Sequence, residues 1–252
     1  LGYDKNGQLV TGFYKQKTND IIACNECLIQ NEESNAVIQR VKELFVEYNI
    51  KPYDKVTHRG NIKHILTKKG YHSEEFMLCF ITYQKTIKHI DQIVEILIQE
   101  FPHIKTIIQN INERHDNVIL GDEEKILYGK GYIYDTLLDN QYKISLKSFY
   151  QINPIQVEKL YQTAIDLAHL NNDSIVLDAY CGIGTITLSL AKHVKKVYGV
   201  EVVPQAIEDA KNNALLNKID NADFVCDDAG KYMVDLVKKN THLDVVFVDP
   251  PR

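Results

Sequence analysis

The chain has 252 residues, 44% of them apolar and 25% charged, enough for two ordinary domains with packed cores, which excludes disorder as its general state. No run approaches the ~18 consecutive apolar residues of a membrane span, and the N-terminal Leu1-Gly2-Tyr3-Asp4 is not a basic segment leading into an apolar one, so neither a membrane nor a secretory destination is read here. The net charge of -5 is unlike the basic footprint of a small nucleic-acid-binding domain, and five cysteines at irregular spacing (Cys24, Cys27, Cys79, Cys181, Cys226) fit the reduced thiols of a cytoplasmic protein better than a disulfide framework.

Residues 1–147 read as short strands and two amphipathic helices. A strand near 8–14 precedes a helix over 32–48, in which Val37, Val41, Leu44, Phe45 and Tyr48 recur at three- and four-residue steps. Strands over 62–66 and 76–83 flank a turn at Lys68-Lys69-Gly70; a helix over 87–101 and a strand over 104–111 follow. This β-α-β-β-α-β order predicts a split-βαβ, ferredoxin-like unit, with a hairpin region over 126–144 leading out of it. Between Lys51 and His72 the cations Lys51, Lys55, Arg59, Lys63, Lys68 and Lys69, with three histidines, face only Asp54. That stretch reads either as a phosphate-facing patch or as a solvated strand face.

The grammar changes over 148–154. Asn153 followed by Pro154 signals a helix start, because asparagine caps free N–H groups and proline at the first helical position loses no hydrogen bond. Apolar strands then alternate with helices: strands over 175–177, 196–200, 223–226 and 244–248, and helices over 154–169, 185–193, 204–217 and 230–239. Such alternation predicts a parallel, doubly wound sheet. The last strand, Val245-Val246-Phe247-Val248, is of the kind buried on both faces, yet Arg252 follows only four residues later. With Leu1 standing where Met would begin a chain, the expectation is a sequence truncated at both ends.

The strongest local signal is Val176-Leu177-Asp178-Ala179-Tyr180-Cys181-Gly182-Ile183-Gly184-Thr185, a strand running through a tight glycine turn into a helix. The third glycine of the dinucleotide fingerprint is absent, since Thr187 stands in its place, which weakens a pyrophosphate reading. Asp178 suits either a ligand contact or a cap for its own loop. Glu201 ends the next strand, where a carboxylate accepts both hydrogen bonds of a ribose diol, as any adenosine-containing cofactor requires. Asp227 and Asp228 end the third strand, within reach of an adenine amino group, and Asp228 is the preferred of the two. Asp249-Pro250-Pro251-Arg252 follows the fourth, its prolines fixing a rigid loop with free carbonyls.

Taken in order, Phe149-Tyr150-Gln151-Ile152-Asn153, the 177–185 segment, Gly199-Val200-Glu201 and Asp249-Pro250-Pro251-Arg252 resemble the RNA uracil-C5 methyltransferase family, which makes 5-methyluridine in 23S rRNA and tRNA. Gly12-Phe13-Tyr14 and Cys27-Leu28-Ile29 are similar to its ribosomal-RNA branch. The resemblance implies a Rossmann-like, S-adenosylmethionine-dependent α/β domain, here incomplete, over 148–252, preceded by an α+β RNA-facing central domain over 1–147. It implies Gln151, Tyr180, Thr185, Glu201, Asp228 and Asp249 as cofactor contacts, and Phe149 as an aromatic stacked in the substrate site.

The implied chemistry is methylation of uridine C5 in RNA, most readily 23S rRNA, through a cysteine adduct at C6, with the nucleophilic cysteine and a glutamate base beyond Arg252. The fragment is therefore expected to bind cofactor weakly, to be inactive alone, and to be monomeric. A tRNA uridine-C5 methyltransferase and a non-catalytic RNA-binding module are the alternatives. No metal is expected: Cys24-x-x-Cys27 is a single pair, although some family members hold an iron-sulfur cluster through upstream cysteines.

Overall fold

In the computed structural model, which describes every residue except Lys17, Asn19, Pro251 and Arg252, the chain divides into two compact units. One comprises Leu1–Gly70 with Glu74–Ile133, the other Tyr71–Ser73 with Tyr134–Arg252. The division falls earlier than the change of sequence grammar at Ser148. Among the described residues no helix is long and apolar enough to cross a membrane.

The first unit begins with two small antiparallel pairs, β1 (Gly2–Tyr3) with β2 (Leu9–Val10) and β3 (Gly12–Tyr14) with β4 (Ile21–Ala23), so the strand expected over 8–14 is split between two pairings. Helix α1 (Glu32–Glu47) starts where the Asn31 side chain accepts the Glu33 N–H, with Glu32 and Glu33 complementing the positive end of the dipole. It buries Val37, Val41, Leu44 and Phe45, the stripe that its periodicity predicts.

The elements β5 (Ile62–Lys69), β6 (Phe76–Thr82), α2 (Ile90–Glu100), β7 (Ile104–Ile111) and β8 (Glu123–Gly129) follow. Lys68 and Lys69 extend β5 instead of turning, and the turn closes through Gly70 N–H to the Glu75 carbonyl. The sheet order is β5-β6-β7-β8, with β6 and β7 parallel and the outer pairs antiparallel. A ferredoxin-like unit would interleave the first strand between β6 and β7. Here β7 takes that position itself, and Leu9–Val10 pairs locally, so the expected split-βαβ topology is corrected to a βαβ crossover flanked by two hairpin partners. Both helices pack on the sheet through a core that includes Phe45, Phe80, Ile93 and Leu97.

The strand β9 (Tyr132–Leu137), whose first two residues are counted with the first unit, forms a hairpin with β10 (Asn140–Ser145) of the second. Helix α3 (Pro154–Leu167) is capped by Asn153, whose side chain accepts from Gln156 N–H, as the Asn-Pro pair predicts. Then β11 (Ile175–Asp178), α4 (Thr185–Ala191), β12 (Lys196–Glu201), α5 (Pro204–Leu216), β13 (Ala222–Cys226), α6 (Ala229–Lys238) and β14 (Val245–Phe247) alternate. The four strands are parallel in the order β13-β12-β11-β14. Side chains of β11 alternate between the two faces. Val176 joins a core with Ile165 and Leu190, and Leu177 joins one with Ala229 and Leu236, so β11 is covered on both sides. On the edge strand β14, expected to be buried on both faces, Val246 is instead 40% exposed, and Val248 just beyond it is exposed as well.

One arrangement has no apolar signature. Asp209 and Asn213 on α5 and Asn217 at its C-cap recur every four residues and bond along the edge of β10. Asn217 exchanges two hydrogen bonds with the Gln141 backbone, Asn213 accepts from Lys143 N–H, and Asp209 accepts from the Ser145 hydroxyl. Four helical residues rise about 6 Å and two strand residues about 6.6 Å, so helix and strand stay in register along this polar seam.

Candidate functional site

The β11–α4 loop is organised around a buried carboxylate. Asp178 is only 1% exposed; its Oδ2 accepts the Thr187 hydroxyl at 2.6 Å, while Oδ1 lacks a well-aligned partner among the described residues. Thr187, itself fully buried, is where the dinucleotide fingerprint would place glycine, and its hydroxyl supplies a donor that glycine could not. Of the two sequence readings for Asp178, its contacts match the cap for its own loop. Gly182 and Gly184 adopt positive φ, 54° and 86°, and a Cβ at Gly182 would meet nothing within 4 Å, leaving that face of the loop open.

Burial raises the Asp178 pKa from 3.8 to about 6, with the nearby negative charge of Asp249 adding to the effect and the hydrogen bonds from Thr187 and Tyr180 opposing it. A folded-state pKa above the unfolded value means that the folded protein binds more protons between about pH 4 and 6. Stability from this group therefore falls as pH rises through that window and is flat above it. The wild-type unfolding free energy, measured relative to an Asp178→Asn variant in urea titrations, falls by roughly 1–1.5 kcal/mol between about pH 5 and 7.5. A flat or rising difference would contradict the buried carboxylate.

The neighbouring strand ends carry the remaining acids. Glu201 closes β12; its Oε2 accepts Gly182 N–H at 3.3 Å and its Oε1 accepts Val203 N–H at 3.0 Å. One backbone donor per oxygen leaves further lone pairs on this carboxylate for a ligand. Asp228 caps α6 by accepting Lys231 N–H, while Asp227 accepts the N–H of Asp228. Asp249, exposed beyond β14, is close enough to raise the pKa values of both Asp178 and Tyr161. In the order β13-β12-β11-β14, Asp228, Glu201, the glycine loop and Asp249 thus form one row along the carboxyl edge of the sheet, where open α/β sheets bind ligands. Pro251 and Arg252 of the sequence motif lie outside the described residues.

Tyr180 is 37% exposed in the glycine loop, and Thr185 begins α4 with its hydroxyl 3.1 Å from that of Tyr161. Phe149 is 72% exposed, and Gln151 half-buried, in the segment before α3. Sequence reasoning missed the residues beneath these, namely Asp135, Asp209 and Thr187. Their only signal was a polar side chain at a position that the helix or strand pattern buries.

Two cysteines are poor nucleophiles here. Burial pushes the Cys79 thiol up to about 12, and raises that of Cys181 as well, with the charges of Asp178 and Glu201 acting in the same direction. Cys24 donates its thiol to the Glu26 carbonyl. Among the described residues no group of three or more His, Cys, Asp and Glu is arranged to hold a metal ion. The basic stretch over 51–72 is partly consumed by local contacts. Lys63 is buried and donates to the Asn112 and Arg114 carbonyls, Lys69 pairs with Glu33 at 2.7 Å, and burial lowers the His64 pKa to about 4, which keeps it neutral.

Residues 170–250 match the family model described as a methyltransferase domain. Proteins named uncharacterized RNA methyltransferases are similar along the chain. One from Halalkalibacterium halodurans is 45% identical over 99% of this chain and 54% of its own length, and one from Staphylococcus aureus is 44% identical over 100% and 56%. The chain therefore spans about half the length of the relatives it matches. The solved structure of Pyrococcus abyssi tRNA (uracil-54, C5)-methyltransferase with S-adenosyl-L-homocysteine superimposes with a TM-score of 0.76 and 26% identity, over 95% of this chain and 56% of that one. The chain is thus related along nearly its whole length to proteins named RNA methyltransferases, and over residues 170–250 it carries a methyltransferase domain.

Proposed function

We propose that this chain is the cofactor-binding part of an RNA uracil-C5 methyltransferase. The observation that carries the reading is the row of carboxylates at consecutive strand ends beside an open glycine loop, with Glu201 tied to the Gly182 N–H. S-adenosylmethionine, the cofactor that this row fits, supplies an electrophilic methyl group when bound. Glu201 holds the ribose diol with the lone pairs left by its two backbone donors. Asp228 meets the adenine amino group while continuing to cap α6, and Gln151, Tyr180, Thr185 and Asp249 line the remainder of the site. Phe149 offers an exposed ring on which an unstacked uracil can rest.

Uracil C5 becomes nucleophilic once a thiolate adds to C6, and a protonated, buried thiol cannot make that addition. Neither Cys79 nor Cys181 is assigned this role. The substrate we favour is 23S rRNA, because the segments at 12–14 and 27–29 resemble the ribosomal-RNA branch. The structural likeness to a tRNA-modifying enzyme supports a tRNA substrate as the second reading. Domain 1–147 is proposed to face RNA and 148–252 to hold cofactor.

Because no cysteine of these residues is assigned as the nucleophile, the test is incubation of the full-length protein with methyl-labelled S-adenosylmethionine and unmodified 23S rRNA or tRNA, followed by nucleoside analysis. Label in 5-methyluridine from rRNA supports the first reading, and label from tRNA the second. Label in any other nucleoside refutes uracil-C5 chemistry.

A further inference from the structure

We propose that Asp135 and Asp209 are positioning residues that fix Phe149 and Gln151 by anchoring the residue before each of them. This rests on the proposed roles of Phe149 and Gln151. Ser148 is buried, and its hydroxyl lies 3.0 Å from Asp209 Oδ2 and 2.8 Å from the Ser145 hydroxyl, while its Oγ accepts Ser145 N–H at 2.9 Å. Phe149 follows and projects outward. Tyr150 returns inward and donates its hydroxyl to Asp135 Oδ2 at 3.1 Å; Gln151 follows. Two anchored side chains therefore alternate with the two that meet ligand.

Both carboxylates are themselves held. Asp135, 1% exposed on β9, accepts the Tyr71 N–H on Oδ2 at 2.9 Å, and the His72 and Ser73 N–H groups on Oδ1 at 2.9 and 3.2 Å. With Tyr150 it receives four donors, so it has little freedom to rotate. Burial, with the Asp135 charge beside it, raises the Tyr150 pKa, so its hydroxyl stays a donor at any working pH. Asp209 is 4% exposed and lies at the start of the polar seam that α5 makes with β10, so the position of Ser148 is set by the same contacts that register helix against strand. An exposed aromatic on a free loop would lose side-chain and backbone entropy on binding a base; anchoring on either side removes part of that cost beforehand.

The chain contains no tryptophan, so Phe149→Trp places a single fluorophore on this segment. Tyr150→Phe and Ser148→Ala, each in that background, are expected to raise acrylamide quenching and the amplitude of nanosecond depolarisation about two-fold, without unfolding the chain. In the unlabelled chain, Tyr150→Phe is expected to weaken S-adenosylhomocysteine binding about five-fold, an effect that vanishes in a Gln151→Ala background if Tyr150 acts through Gln151. Asp135→Asn is the stronger change, but it disturbs four donors and risks misfolding; Tyr150→Phe removes one hydroxyl only. Unchanged quenching and depolarisation in both variants would overturn the proposal. Changed dynamics in a chain that binds no S-adenosylhomocysteine would uphold the anchoring and remove the cofactor reading.

Discussion

Replacing Glu201 with alanine is expected to raise the dissociation constant of the chain for S-adenosylhomocysteine at least about thirty-fold, roughly 2 kcal/mol at 25 °C. The magnitude follows from the role proposed for one carboxylate at the end of β12. Two hydrogen bonds from a ribose diol to a charged acceptor are each stronger than a neutral pair, and truncation to alanine would leave the ligand hydroxyls without that acceptor. A second contribution comes from the loop. Without Glu201 the Gly182 N–H loses its acceptor, and the turn at positive φ loses one of the contacts that set its shape. Glu201→Gln separates the two effects, since its amide oxygen can still accept from backbone while the charge is gone, and an intermediate loss of about five- to ten-fold is expected. Isothermal titration of the three proteins measures this. Affinities within two-fold of one another would mean that the ligand does not lie on the β12 end, and the row of strand-end acids would lose its proposed role.

The parts of this site that were legible in the sequence are those governed by local rules. The β11 strand, the glycine turn and the Asn153-Pro154 helix start follow from periodicity, backbone freedom and capping, each of which acts over a few residues. The parallel sheet was legible from the alternation of apolar strands with helices, although β14, as apolar as a strand buried on both faces, leaves Val246 40% exposed at the sheet edge. The contacts that hold the site were not. The seam of Asp209, Asn213 and Asn217 is a polar stripe, and apart from the Ser145 hydroxyl that meets Asp209 its partner is the backbone of β10, which has no side-chain pattern to read. The position of β7 beside β6, in place of the ferredoxin-like order, depends on a pairing across a whole crossover, and the same strand pattern serves either topology. Asp178 shows the same limit at one residue. A carboxylate at a strand end suits a ligand or a cap, and only its burial against Thr187, nine residues away and with its hydroxyl turned inward, distinguishes them.

Gly199→Val is the substitution expected to destabilise the second unit most. Gly199 lies on β12 between Asp178 of β11 and Phe224 of β13. A Cβ there would stand 2.8 Å from Cδ1 of Phe224, and 2.9 Å from both its Cε1 and the Thr187 Oγ1. Neither neighbour yields easily. The Thr187 hydroxyl is committed to Asp178, and the Phe224 ring already approaches within 3.1 Å of where a Cβ at Gly184 would be. Alanine therefore costs about 1–3 kcal/mol by overpacking. Valine also displaces the Thr187 hydroxyl, leaving a buried carboxylate without its side-chain donor, for a total of about 3–5 kcal/mol and a fall in Tm on the order of 10 °C. Gly182→Ala is the control, because its Cβ meets open space and only the backbone conformation at φ 54° is penalised, by about 1–2 kcal/mol. Trimming the obstructing ring with Phe224→Leu should make Gly199→Ala less costly than the sum of the single changes, which urea denaturation of the four proteins resolves. If Gly199→Ala is no more harmful than Gly182→Ala and shows no coupling to Phe224, then Thr187 and Phe224 do not pack across β12 as described. The fixed Asp178, and with it the preset shape of the cofactor loop, would lose its physical basis.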